Sequence, residues 1–392
     1  MATTVTKVVD PNAGAGYDYH SVFDWEAAQQ GDLTGVRDEI AVAKCRCTGG
    51  SDDPDGYVYF NGWDTSQTQY FKVWTDTSET YRHHGKWETG NVYRATVANS
   101  SLYDVYENYA VFDGLLLEVS AANANYQDVF FCNGPVTIKN CILRLHGSAD
   151  YYGNGINLTG AGSSYVINCI AYRGNAAQAN SNSISINGAG TFYVYNGTFI
   201  GGYNSFRRDG GTVYAKNCYV RSNGGNAYQG TITMTTCASS DATGTAGLQS
   251  IALNTTNFTN VTATTEDFHL PLGSDLIGVA TNLYDDAAYP FQTDIDSQDR
   301  GGAAAAWDIG ADEYVSSVTI EQEGFRFRND DGSESAATWK ANQDTNITLA
   351  ANTAARIRML LNATGDPASI GAQLEYRYKP SGGAFGSWTK VN

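Results

Sequence analysis

A chain of 392 residues with 42 glycines, 26 tyrosines and a formal net charge of −17 is long enough for two or three domains, or for one elongated solenoid with an appendage. The acidic balance argues against nucleic acid and anionic membranes as partners, because phosphate binding needs clustered Lys and Arg. Scarce proline and methionine beside abundant Gly, Tyr, Asn, Thr and Ser favour strands and turns over helices.

The charge is unevenly spread. Residues 1–314 hold 16 basic and 33 acidic groups, whereas residues 315–392 hold 8 of each. The first residues lack an apolar core of signal-peptide length and no stretch is long enough to span a bilayer. The expectation is therefore a protein made without an N-terminal export signal and without membrane insertion. Seven cysteines lack zinc spacing, so they read as reduced, buried small hydrophobes, and neither metal nor cofactor is expected. The Asn-x-Ser/Thr triplet at Asn196 reads as turn chemistry.

In chain order, the first predicted element is a helix over residues 21–31. Ser21 suits its N-cap, Asp24 the reciprocal capping position and Gly31 its exit. Val22, Trp25 and Ala28 share one face, so Trp25 is expected to plug the first coil of whatever follows. Residues 1–110 read as this cap and irregular first coils. The His83-His84 pair within them reads as a solvated loop, since adjacent side chains on a strand diverge.

From residue 111 an internal repeat sets the fold. Six segments carry an alternating apolar strand that ends in a small polar pair, closing at Gly114, Cys141, Cys169, Gly197, Cys218 and Cys237. The steps are nearly even as far as Gly197 and shorter after it. A second strand keeps step, since Ile184 follows Ile156 at the same interval as Cys169 follows Cys141. Each repeat completes its hydrogen-bond ladder and core only by stacking on a neighbour about 4.8 Å away. The fold expected is all-β: a right-handed parallel β-helix over 111–314 with an N-terminal capping helix. Cys141, Cys169, Cys218 and Cys237 are expected to form an internal ladder, and Asn140, Asn168, Asn196 and Asn217 to satisfy turn backbone beside it.

The repeat ends at Glu266-Asp267-Phe268-His269-Leu270, followed by Asp294-Ile295-Asp296 and by Trp307-Asp308-Ile309-Gly310-Ala311-Asp312-Glu313-Tyr314. These motifs resemble the closing segment of parallel β-helix repeat proteins of bacteria and bacteriophages, and the resemblance covers roughly residues 15–314. It implies a segment folded across the last coil, where Arg300 is placed to pair with Asp308 or Asp312. Residues 315–392 form a distinct unit with alternating Phe325, Phe327 and Tyr376, Tyr378, expected to be a small β-sandwich. This tail resembles modules appended to phage structural proteins.

Three functions fit. The resemblance implies a virion component, a spike or capsid decoration assembled with other virion proteins in the host cytoplasm and adhering to host-surface polysaccharide; such β-helix spikes are generally homotrimers. The second is a polysaccharide lyase or glycoside hydrolase, which needs facing carboxylates or a base with a cation. The coils are poor in carboxylates, Asp113, Glu118, Asp128, Asp150 and Asp209 being nearly all before Asp241. Asp150 and Asp209 are the catalytic candidates, at different points of the repeat. The third is a carbohydrate-binding module using Tyr151, Tyr152, Tyr203 and Tyr228 with Arg207 and Arg208. A contiguous row of tyrosines would favour it.

Overall fold

The computed structural model describes residues 2–390, apart from 13–15, 36, 99, 122–126, 148–152, 174–180 and 263–264, and, beyond Val315, apart from 316–318, 330, 332–335, 337, 351–352, 354–355, 365–374, 377–378, 380–381 and 388. Two compact units are present, Met1–Tyr314 and Val315–Asn392.

In the first unit the chain winds through three parallel sheets in rotation. A representative coil runs from Val136–Lys139 in the first sheet to Ile142–Gly147 in the second and Asn154–Leu158 in the third, then to Ser163–Ile167 one level on in the first. The first sheet has nine strands among the described residues, from Thr3–Val9 to Thr233–Thr235; the other two have seven each. This is a parallel β-helix, consistent with the right-handed winding that parallel crossovers adopt. The interval read from the repeat is a true register, since Ile156 pairs with Ile184, and Ile138 with Val166.

The register corrects one alignment. Asp113 lies opposite Lys139, and Leu116 opposite Ile142, so Gly114 is level with Asn140 and Leu115 with Cys141. Gly114 therefore belongs to the asparagine column. It has φ +75°, and Asn140, Asn168, Asn196 and Asn217 have φ between 48° and 56° at the same corner. Only Gly and Asn occupy that left-handed region readily. Cys141, Cys169, Cys218 and Cys237 are all buried and free, as the interior ladder requires. Gly197 interrupts it because the Phe199 ring fills the space: a Cβ at Gly197 would lie 2.3 Å from that ring.

The helix forms over Val22–Gln29 with Ser21 Oγ accepting from Asp24 N at 3.0 Å. Trp25 is fully buried, its ring 5.3 Å from Trp63 and 6.3 Å from Phe71. The helix packs against the edge strand of the third sheet, Val58–Phe60, and against Glu39–Cys45 and the edge strand Thr3–Val9 of the first. His83, expected in solvent, is buried: its Nε2 donates to Asn140 O at 2.8 Å and its Nδ1 accepts from Gly85 N. Burial and nearby Arg82 push its pKa down to about 3, so it is neutral. His84 is the exposed member and pairs with Glu88.

In the second unit, Thr319–Arg328 pairs antiparallel with Arg356–Thr364 and Glu375–Tyr376 with Thr389–Lys390. Among the described residues these pairs do not make up the expected sandwich. Tyr378 lies outside the described residues.

Candidate functional site

Where the closing segment runs decides which faces of the solenoid remain free. Leu117, Leu143 and Ala171 of the second sheet point inward, so their neighbours Leu116, Ile142 and Ile170 point out, and these too are buried. They share an apolar cluster with Phe268, Ile295 and Ile309. The closing segment is therefore a strap along the outside of the second sheet, not a fold across the last coil. At its far end Lys86 meets Asp267 at 3.6 Å.

The strap is tied to the asparagine corner. Asn168 Nδ2 donates to Thr293 O at 2.7 Å, Asn217 Nδ2 to Thr281 O at 2.7 Å, and Asn196 Nδ2 to Asp308 O and Gly310 O. Arg300 is wholly buried there. Its ion-pair partner is Glu313, at 2.8 Å, and not Asp308 or Asp312 as the sequence suggested. Asp308 instead accepts from the backbone N–H groups of Gly278 and Tyr314.

Acidic groups gather on the strap beside His269. Oxygens of Asp294, Asp296 and Asp312 lie within 4.8 Å of one another and form the one group among the described residues with the density to hold a metal ion. The positive charge beside them is the protein's own. His269 Nδ1 is 2.5 Å from Asp267, and its Nε2 is 3.6 Å from Asp296 and 3.9 Å from Asp312. Burial acts to lower the His269 pKa, but hydrogen bonds to these carboxylates outweigh it and raise the value to about 10. Burial raises Asp312 to about 7. An imidazolium whose pKa is raised this far by its carboxylate neighbours is poorly suited to proton transfer near neutrality.

The strap also reaches the outer face of the first sheet, where Leu283 and Trp307 cluster with Ile167 and Tyr195, and Tyr165, Tyr193 and Tyr214 pack against that cluster. Thr137, Tyr165, Tyr193 and Tyr214 follow one another in register on successive coils. The tyrosine rings stack, with centroids 5.1 Å apart at 9° and then 5.5 Å apart at 15°. Below Tyr165 the column drops to Thr137 and Val111, and this step opens a groove of about 630 Å³ lined by Gln67, Tyr70, Tyr109, Thr137, Ser163 and Tyr165 among others. Tyr289 of the strap leans on Tyr165 at 5.2 Å and 39°. The lining has aromatic rings, hydroxyls and an amide but no ionisable acid or base of the Asp, Glu, His, Lys or Arg type. Such a surface offers stacking and neutral hydrogen bonds, and no carboxylate pair for glycosidic cleavage.

Among the described residues, those singled out in the sequence do not form one site. Asp150, Tyr151 and Tyr152 lie outside the described residues. Asp209 is engaged by Arg207 Nε at 2.7 Å, and Arg208 bonds the carbonyls of Gly210 and Gly211. Tyr203 is exposed, as expected of a turn. Tyr228 is not: it lies in the core, its hydroxyl donating to Cys218 O at 2.9 Å, so it offers no ring to a ligand. The other coil carboxylates are also occupied. Asp113 sits among Lys72, Arg82 and Lys139, and Glu118 pairs with Arg144. Burial lifts Asp128 to a pKa of about 6, but both its oxygens are taken by Asn154 and Asn157.

Sequence reasoning missed the groove tyrosines although their spacing marks them. Tyr165, Tyr193 and Tyr214 are separated by the same steps as Cys169, Gly197 and Cys218. No family model matches the chain and no curated protein matches it. Among solved structures, one described as "Crystal structure of pectate lyase Pel9A" is similar at 13% identity, covering 80% of this chain and 97% of that one with a TM-score of 0.31. A likeness of that size carries no argument. The phage-type resemblance of the closing segment finds no support in these matches.

Proposed function

We propose that this β-helix protein binds a neutral polysaccharide in the groove beneath Tyr165 and does not cleave it there. The observation that carries the reading is the composition of the groove: a stacked tyrosine column that ends over Tyr70, Tyr109, Gln67, Thr137 and Ser163, with no acid–base pair. Sugar C–H faces stack on aromatic rings while hydroxyls and amides fix orientation. A uronate polymer would find no cation in the lining. The expectation of a virion component, and of a homotrimer, belongs to the sequence resemblance; the groove neither needs it nor argues for it.

Nitration of the protein with and without a soluble mixed-linkage β-glucan, mapped by peptide mass spectrometry, tests the site. Tyr109 and Tyr165 should be protected by the glucan, or by another neutral polymer of a panel that includes xylan and galactomannan. Protection by none of them would overturn the reading. So would release of reducing ends or unsaturated products that is lost in Tyr165→Ala.

A further inference from the structure

Three cations share one carboxylate on the outer face of the first sheet. Trp74, Asp113 and Lys139 stand level on successive coils, and Lys72 is level with Val111. Asp113 Oδ1 accepts from Arg82 Nη2 and from Asn140 Nδ2, each at 3.0 Å. Its Oδ2 faces two ammonium groups, Lys72 at 3.4 Å and Lys139 at 3.5 Å, both well beyond the roughly 2.8 Å of a charge-assisted bond. Among the described residues, Asp113 is the one ion-pair partner of either lysine. Three cations against one carboxylate leave a surplus of two positive charges, in a unit where acidic groups outnumber basic ones by 33 to 16. Lys72 is held in place by the Trp74 ring, its Nζ lying 3.8 Å from the centroid. The two lysine side chains are 21% and 30% exposed, recessed yet open to water.

We infer that Lys72 and Lys139, backed by Arg82, form a site for a small doubly charged oxyanion, of which phosphate and sulfate are the simplest. Both ammonium groups approach the same carboxylate oxygen, so they lie close enough together for one oxyanion to bridge them. A dianion matches the surplus of two charges, which a single carboxylate does not. Crowded like charges are costly, and a bound anion relieves the cost. Burial outweighs Asp113 and lowers the Lys72 pKa, with Lys139 and Arg82 adding to the effect, as befits an ammonium short of counter-charge. An acidic protein surface offers the same charge, but spread over side chains that must each reach a recessed ammonium; a dianion carries it on one centre. The site borders the groove without lining it. Val111 and Thr137 are groove residues, Lys72 continues their column by one coil, and Lys139 stands two residues beyond Thr137. The oxyanion has two sources, a free ion or a phosphate monoester on an otherwise neutral chain in the groove, and only the second rests on the groove reading.

Lysine acetylation of the full chain, mapped by peptide mass spectrometry, tests the site, with ionic strength held constant by sodium chloride so that screening cancels. Inorganic phosphate and sulfate should slow acetylation of Lys72 and Lys139, acetate should do so less, and Lys7 and Lys86 should be unaffected. Lys139→Gln should raise the sulfate concentration that half-protects Lys72 by about tenfold. A phosphorylated neutral glucan separates the sources. Protection at a lower phosphate concentration than the free ion needs, lost on Thr137→Tyr, assigns the monoester; equal protection assigns the free ion. Failure of the groove reading leaves the results with inorganic phosphate and sulfate standing. Protection by neither ion would overturn the site, as would equal slowing of all four lysines or unchanged protection in a normally folded Lys139→Gln protein. Slowing at Lys72 and Lys139 that grows with protein concentration and needs no added anion would make the cluster a contact between copies and overturn it too.

Discussion

Arg300 Nη1 lies 2.8 Å from the Glu313 carboxylate in a site closed to solvent on the arginine side, and Arg300 Nη2 donates to the carbonyl of Ala311 at 2.7 Å and to Asn168 Oδ1 at 3.3 Å. One guanidinium thus joins the strap to itself and to the coil corner. Arg300→Ala leaves the buried Glu313 carboxylate without its counter-ion, with only the Asp308 N–H still donating to it, and should lower unfolding free energy by about 3–5 kcal/mol in urea titration. Arg300→Lys should recover less than half, because a single ammonium cannot reach the fork of acceptors. Full recovery by lysine would show that charge alone matters.

The asparagine corner makes a separate demand. Asn196 holds φ 48° and its amide bonds both the strap and the Asn217 side chain. Asn196→Gly keeps the backbone comfortable and loses the amide; Asn196→Ala loses both. Alanine should therefore be less stable than glycine by about 1–2 kcal/mol, the cost of the left-handed region for a residue with a Cβ. Gly114, level with this column, is the chain's own precedent for glycine. Equal stabilities would mean that the turn relaxes out of that region.

These two sites show how far the sequence could be read. The coils were legible because equal spacings put equal turns at equal places, and Ile156 does pair with Ile184. Gly114 stands one position away from its place in the repeat because size matches it to cysteine, whereas φ matches it to asparagine. The strap was illegible from its own motifs, since its bonds reach far along the chain, as from Arg300 to Asn168. Its imprint was present elsewhere. Leu115-Leu116-Leu117 and Cys141-Ile142-Leu143 are unbroken apolar runs, the mark of a strand buried on both faces, and alternation fails there for that reason. The groove column was hidden for the opposite reason: tyrosine is so frequent that its periodicity does not stand out from its abundance.

Stability should fall as pH rises through the neutral range. His269 has a folded pKa of about 10 against an ordinary 6.5, so its contribution is complete below about 6.5 and is lost as pH climbs through 10. Asp312 and Glu313 are raised by burial to about 7, so the folded state holds more protons than the unfolded one and loses stability between their ordinary values, near 4, and 7. Asp294 is raised too. His83 and Asp113 run the other way. His83, lowered by burial to about 3, adds stability as pH rises from 3 to 6.5 and offsets part of the fall from Asp312 and Glu313. Burial acts to raise Asp113, but its cation neighbours outweigh that and lower it to about 2, so its contribution is present above 3.8 and lost as pH falls through 2. The midpoint of thermal unfolding should therefore peak in mildly acidic buffer and decline towards pH 9. Asp312→Asn should flatten the part of the decline below pH 7, and His269→Gln the part above it. A flat profile in the parent protein would refute the charge assignment.

Thr137 offers a design that separates binding from folding. It lies directly opposite Tyr165 in the parallel ladder, at the point where the stacked column stops and the groove begins. Thr137→Tyr should continue the stack by one ring. An added aromatic pair is worth about 0.5–1.5 kcal/mol, so the unfolding midpoint should hold or rise. The new ring would occupy the space that a sugar needs, and protection of Tyr109 and Tyr165 from nitration by neutral polysaccharide should disappear. Most substitutions that abolish binding also remove contacts from the fold, which leaves the two effects confounded. Here they are expected to move in opposite directions, so persistence of the protection in a stable Thr137→Tyr protein would place the ligand elsewhere.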